Sequence, residues 1–193
     1  MSSTSFFAFA FRMKYINRWG LMKNSRYENL TEHSAETAML AHALAIIGNK
    51  IYGKNYDENK IAIFALYHDV SEIITGDLPT PVKYFNSDIK NDFHDIEDQA
   101  RRELLNKLPD ELKDAYEDVI TESCSDEEKR LIKAADKLSA LIKCIEEVKN
   151  GNSEFARAHD SSFRSLEKFE DLPEVKYFID NMLPSFYLTL DEL

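Results

Sequence analysis

His68-Asp69 and Glu72, followed at once by Thr75-Gly76-Asp77-Leu78-Pro79-Thr80-Pro81, concentrate metal-ligand and acid/base chemistry in a short stretch of chain. On a helix, residues three and four apart share a face, so a helical reading aligns His68 with Glu72 and sets Asp69 on the adjoining edge. A neutral imidazole nitrogen beside carboxylate oxygens suits a divalent cation such as manganese, cobalt, nickel, iron, zinc or copper. Further ligands must come from elsewhere. Asp136 is one candidate, because a carboxylate among Ala134, Ala135, Leu138 and Leu141 is costly to desolvate unless it is paired or bound to a cation. A salt bridge to Lys133 or Lys137 would satisfy it too. His33 is another candidate, although a lone helical histidine is more often a satisfied core or surface residue than a ligand.

The elements that must position these groups read as successive helices. Phe6, Phe7, Ala10, Phe11, Met13 and Ile16 follow helical spacing and predict a first helix that runs out near Asn17-Arg18-Trp19-Gly20. Thr31 is the expected cap of a second helix, with Glu32 in its first turn, His33 near its start and apolar residues through Ile47. A third helix from about Asp57 carries its apolar residues into His68-Asp69, and the Gly and Pro residues after Thr75 end it. A long charged helix spans Ser87 to Lys107, and Pro109 opens the next. The clearest start signal is the S-x-x-E capping box Ser125-Asp126-Glu127-Glu128, with Asn150-Gly151 as the stop. Helices over Ser153 to Lys168 and Pro173 to Met182 complete an all-α chain with no strand run and no repeat.

Composition narrows the function class. A chain of 193 residues suits one cored domain, residues 1–193. A formal charge of −11 argues against polymeric nucleic acid as a partner, since such binding draws on Lys and Arg clusters; a small anion in a cleft is still admissible. Cys124 and Cys144 lack CxxC or repeated spacing and are expected as buried free thiols. The apolar start Phe6 to Phe11 has no basic residue before it and is interrupted by Arg12 and Lys14, unlike a signal peptide. No run approaches the roughly 20 apolar residues that cross a bilayer. The expected compartment is the cytoplasm.

His33, His68-Asp69 and Asp136 together match the H…HD…D pattern of the HD-domain metal-dependent phosphohydrolases. The resemblance extends further. Asn17-Arg18-Trp19, Glu28-Asn29, Glu32-His33-Ser34, Tyr67-His68-Asp69, the run from Thr75 to Asn86 and the closing Pro184-Ser185-Phe186 are all similar to the YfbR-type bacterial 5'-deoxynucleotidases. The resemblance implies a homodimeric, all-α, single HD-domain enzyme that releases phosphate from deoxyribonucleoside 5'-monophosphates, with cobalt or manganese favoured as its metal. Its metal ligands would be His33, His68, Asp69 and Asp136. Its substrate residues would be Arg18, Trp19, Asp77, Leu78, Pro79 and Thr80, with His33, Asp69 and Asp136 touching substrate as well.

The chemistry can be assembled from those side chains. Two neutral imidazoles and two carboxylates balance a divalent ion, which would acidify water and polarise the phosphoryl oxygens. Arg18 offers a planar fork for two phosphate oxygens. Glu72 is placed for proton transfer and Asp77 is a second candidate, so catalysis would fall to Glu72, Arg18 and Asp77. On an exposed face Glu72 could instead form a salt bridge, and Asp77 could be an Asx-turn residue before Pro79. Trp19, by resemblance, borders the sugar, where a rigid indole can exclude a 2'-hydroxyl; an unmatched tryptophan would ordinarily anchor a core. His42 falls about 180° round the helix from His33 at ~100° per residue. The metal set alone does not choose among phosphate substrates, so an HD phosphohydrolase of nucleoside triphosphates, a cyclic nucleotide or an alarmone is the nearest alternative. A catalytically silent nucleotide sensor is the alternative of another class.

Overall fold

The computed structural model describes residues 4–79 and 86–193. Regular structure among the described residues is helical, with one isolated bridge between Asn17 and Asn29. The α-helices are α1 (Phe6–Ala10), α2 (Leu30–Tyr52), α3 (Glu58–Tyr67), α4 (Glu72–Thr75), α5 (Ser87–Leu105), α6 (Asp110–Ile120), α7 (Asp126–Lys149), α8 (Ala156–Ser165) and α9 (Pro173–Asn181). Short 3-10 turns follow α1 at Phe11–Tyr15 and flank α8 at Ser153–Phe155 and Leu166–Phe169.

Local side-chain chemistry sets most of the starts. Ser125 accepts from the Glu128 N–H while Glu128 accepts from the Ser125 N–H, the reciprocal box expected at the head of α7. Asp57 accepts from the Lys60 N–H ahead of α3, and Asn86 from the Ile89 N–H ahead of α5. The cap of α2 is Asn29 rather than Thr31. Asn29 Oδ1 accepts from the N–H groups of Thr31 and Glu32, and the Asn29 N–H donates to Glu32, so an N-x-x-E box stands where a threonine cap was expected. Gly151, at φ +82°, closes α7 as expected.

The described residues form two compact units. The first comprises residues 4–21, 27–34, 66–79 and 86–124. Its core gathers Phe6, Ala10, Met13, Leu30, Val70, Leu104, Leu108 and Ile120, with Tyr67 and Tyr116 packed against it. Phe6 meets Tyr116 at 5.7 Å and Tyr67 at 6.4 Å between ring centroids. Tyr67 and Val70 belong to this core and bracket His68-Asp69, so the packing that fixes the unit also fixes the backbone of that pair. The first helix is shorter than its periodicity suggests, because the chain tightens at Phe11 and turns extended at Ile16 (φ −96°, ψ 113°). There the Ile16 carbonyl accepts from the Leu30 N–H and the Glu28 carbonyl accepts from the Arg18 N–H, an alternative use for backbone groups that a continuing helix would have consumed.

The second unit comprises residues 22–26, 35–65 and 125–193. Leu131, Leu138, Leu141 and Ile145 of α7 are buried, as are Leu44 and Ile61, whereas Met39 on α2 is 66% exposed. The buried carboxylate of Glu147 accepts from the backbone N–H groups of Ser25 and Arg26, from Asn152 Nδ2 and from the buried Lys143 ammonium. Burial pushes its pKa upward, but the donations from Lys143, Asn152, Ser25 and Arg26 prevail and hold it down at about 2. A depressed carboxylate stabilises the fold above its ordinary pKa, and that stability is lost as pH falls from 4.5 toward 2. Glu147→Gln is expected to cost roughly 3–5 kcal/mol by stranding the Lys143 charge. Thermal melts of both proteins from neutral to acid pH check it, with the gap between them narrowing in that acid window.

Candidate metal centre

The bridge between Asn17 and Asn29 lays residues 16–18 alongside 28–30 and so delivers Arg18 and Trp19 to the N-terminal end of α2. His33 lies one turn into that helix, on its fully buried side. His68 and Asp69 follow the last residue of α3. That helix ends at Tyr67, and residues 68–71 form tight turns, with the Val70 N–H on the Tyr67 carbonyl and the Glu72 N–H on the Asp69 carbonyl. The expectation of a continuous helix carrying His68 and Glu72 on one face is therefore corrected. Glu72 instead opens the separate short helix α4, where it is 8% exposed.

Within the first unit the polar groups converge on one oxygen. Asp69 Oδ2 lies 3.1 Å from His68 Nε2, 3.5 Å from His33 Nε2 and 3.5 Å from Arg18 Nη1. The other ring nitrogen of His33, Nδ1, faces Glu28 Oε1 at 4.0 Å. Asp136 lies on α7, in the second unit. There it ion-pairs with Lys137 at 3.0 Å, the salt bridge that its sequence context also allowed. The two imidazoles and the Asp69 carboxylate, with no thiol among them, are donors that a divalent first-row cation accepts, and the residues present fit such an ion.

Arg18 is held between two acids, its Nη1 toward Asp69 and its Nε 3.4 Å from Glu28 Oε2. Trp19 is half-buried, and its indole N–H donates to the same Glu28 oxygen at 2.9 Å. Trp19 adopts φ +58°, in the left-handed region, which costs a side-chain-bearing residue roughly 1–2 kcal/mol. Asp77, Leu78 and Pro79 are half-buried in the irregular segment after Gly76, while Thr80 lies outside the described residues. His94 pairs with Asp98 at 4.0 Å, and His159 with Asp160 at 3.2 Å. Glu28 is the residue that spacing did not single out. Lying ahead of α2, it belongs to no helical pattern, and it entered only through the Glu28-Asn29 pair of the family resemblance, with no role attached. Of the cysteines, Cys144 is buried as expected and Cys124 is half-buried.

Comparison with known proteins extends these observations. The family described as 5'-deoxynucleotidase YfbR-like matches residues 5–186. The 5'-deoxynucleotidase YfbR of Escherichia coli (strain K12 / DH10B) is 48% identical over 194 residues, spanning 100% of this chain and 97% of that protein. The 5'-deoxynucleotidase Ent638_2835 of Enterobacter sp. (strain 638) has the same identity and coverage. Among solved structures, an HD-domain phosphohydrolase from Listeria innocua (lin2634) superposes with a TM-score of 0.83 at 21% identity, covering 94% of this chain and 88% of that one. The cyanophage S-2L HD phosphohydrolase DatZ, bound to dA and one catalytic Zn2+ ion, gives 0.68 at 18% identity, covering 92% and 96%. At those identities the two structures speak to the fold, which is all-α as expected.

Proposed function

This chain belongs to the YfbR-like 5'-deoxynucleotidase family, and on that premise we propose that it hydrolyses deoxyribonucleoside 5'-monophosphates to deoxyribonucleoside and phosphate, with preference for deoxyribose over ribose. The observation that carries the reading is the convergence of His33 Nε2, His68 Nε2 and Arg18 Nη1 on one oxygen of Asp69. A phosphate-sized anion needs a donor fork beside its electrophilic partner, and Arg18 stands beside the imidazoles that would hold one.

We assign His33, His68, Asp69 and Asp136 as the residues that hold a divalent cation, cobalt or manganese by resemblance. When bound, such an ion lends Lewis acidity toward phosphoryl and water oxygens. Arg18 grips two phosphate oxygens and keeps the ester in line for displacement. Glu72, three residues beyond Asp69 and largely shielded from solvent, moves the proton between water and the departing sugar oxygen. Asp77, Leu78, Pro79 and Thr80 border the nucleoside, with Asp77 able to share the proton work, and His33, Asp69 and Asp136 border the phosphate. Trp19 stands against the sugar. The single match over residues 5–186 supports reading the chain as one HD domain. The homodimeric and cytoplasmic parts of the reading rest on the resemblance; no helix among the described residues is long and apolar enough to cross a membrane.

Phosphate release from a panel of deoxyribo- and ribonucleoside mono- and triphosphates, with cobalt, manganese, zinc or magnesium added singly, tests the proposal. Preferential turnover of the deoxyribonucleoside monophosphates is the expected result. Release from triphosphates alone, or from nothing, refutes it. Trp19→Ala is expected to raise catalytic efficiency on AMP relative to dAMP, by up to about 10-fold, because the penalty it removes falls only on the 2'-hydroxyl. The ratio of the two efficiencies in wild type and variant measures this.

A further inference from the structure

Glu28 is 5% exposed and belongs to none of the ligand or substrate sets above. Its Oε2 accepts from the Trp19 indole at 2.9 Å and lies 3.4 Å from Arg18 Nε, while its Oε1 faces His33 Nδ1 at 4.0 Å. Its own backbone carbonyl accepts from the Arg18 N–H at 3.0 Å, so main chain and side chain both hold the Arg18-Trp19 pair. A carboxylate so removed from water is costly unless it meets donors and charge, and here the donors are the side chains read as gripping phosphate and bordering sugar. The left-handed backbone at Trp19 needs an anchor that over-determines it, and the indole contact supplies one.

We propose that Glu28 is the positioning residue of this site: one buried carboxylate that sets the orientation of Trp19, and with it sugar discrimination, and that of Arg18, and with it phosphate affinity. The proposal rests on the reading of Arg18 and Trp19 as substrate-contacting residues. It predicts that the two roles separate chemically. Glutamine keeps an oxygen for the indole N–H but removes the charge beside Arg18, whereas alanine removes both.

Trp19 is the single tryptophan of the chain, so intrinsic emission reports its surroundings without reference to turnover. In Glu28→Ala the emission maximum should shift to the red, and the dAMP-to-AMP efficiency ratio should fall toward that of Trp19→Ala. In Glu28→Gln the emission and the ratio should stay near wild type, while KM for dAMP rises by about 10-fold with kcat changed less. Wild-type emission and an unchanged ratio in Glu28→Ala, with only a lowered melting temperature, would reduce Glu28 to a structural acid and overturn the proposal. Should Glu28→Ala fail to fold, Glu28→Gln decides alone, an unchanged KM counting against. If the wild-type enzyme releases phosphate from no nucleotide, the activity reading fails, and the emission of Glu28→Ala still decides whether Glu28 positions Trp19.

Discussion

Asp69→Ala is expected to abolish metal retention and to lower phosphate release by on the order of 10³-fold or more. The loss should exceed that of an ordinary ligand, because one oxygen of Asp69 faces both imidazoles and the Arg18 guanidinium. Its removal takes away an anionic ligand that offsets the charge of the cation and releases one of the two acids that hold Arg18. Adding excess metal should therefore restore little of the activity. Elemental analysis of the purified variant beside its turnover gives the answer, with Asp136→Ala as the companion. Stoichiometric metal and normal turnover in both would remove these two aspartates from the coordination sphere.

Glu72→Gln is expected to keep both metal and nucleotide but lower kcat by about 10²–10⁴-fold, the usual contribution of a positioned proton-transfer group. Glutamine preserves the packing of a side chain that is 8% exposed, so the loss would be chemical rather than structural. Asp77→Asn, measured alongside, apportions the proton work, since the larger fall in kcat identifies the principal acid/base. Wild-type kcat in Glu72→Gln would take that residue out of the mechanism.

Much of this architecture was legible in the chain, for reasons that differ by element. The Ser125 box and the Asn150-Gly151 stop bound α7 because capping is a local contest between one side chain and a few backbone groups. The end of the first helix was harder, since the extended turn at Ile16 depends on pairing with Leu30, fourteen residues away. The stop of α3 at Tyr67 was missed for a related reason. Tyr67 and Val70 are both claimed by the core of the first unit, and tight turns at 68–71 serve that packing where a regular helix was expected. His33 and Asp136 each had an ordinary reading when taken alone, the one as a satisfied helical histidine and the other as a salt-bridge partner. Glu28 stayed hidden because its partners, Arg18, Trp19 and His33, lie five to ten residues away on different local structures. No periodicity connects residues joined by a bend.

The conformation of Trp19 also bears on how this site can be altered. A residue at φ +58° is one that glycine occupies at little steric cost, so a chain selected for stability alone would carry glycine there. Alanine suffers nearly the same backbone penalty as tryptophan, whereas glycine relieves it. Trp19→Ala thus isolates the ring, while Trp19→Gly mixes loss of the ring with relaxation of the backbone that also presents Arg18. Variants screened for heat resistance would be drawn toward the second substitution, gaining robustness as they lose the ring proposed to read the sugar.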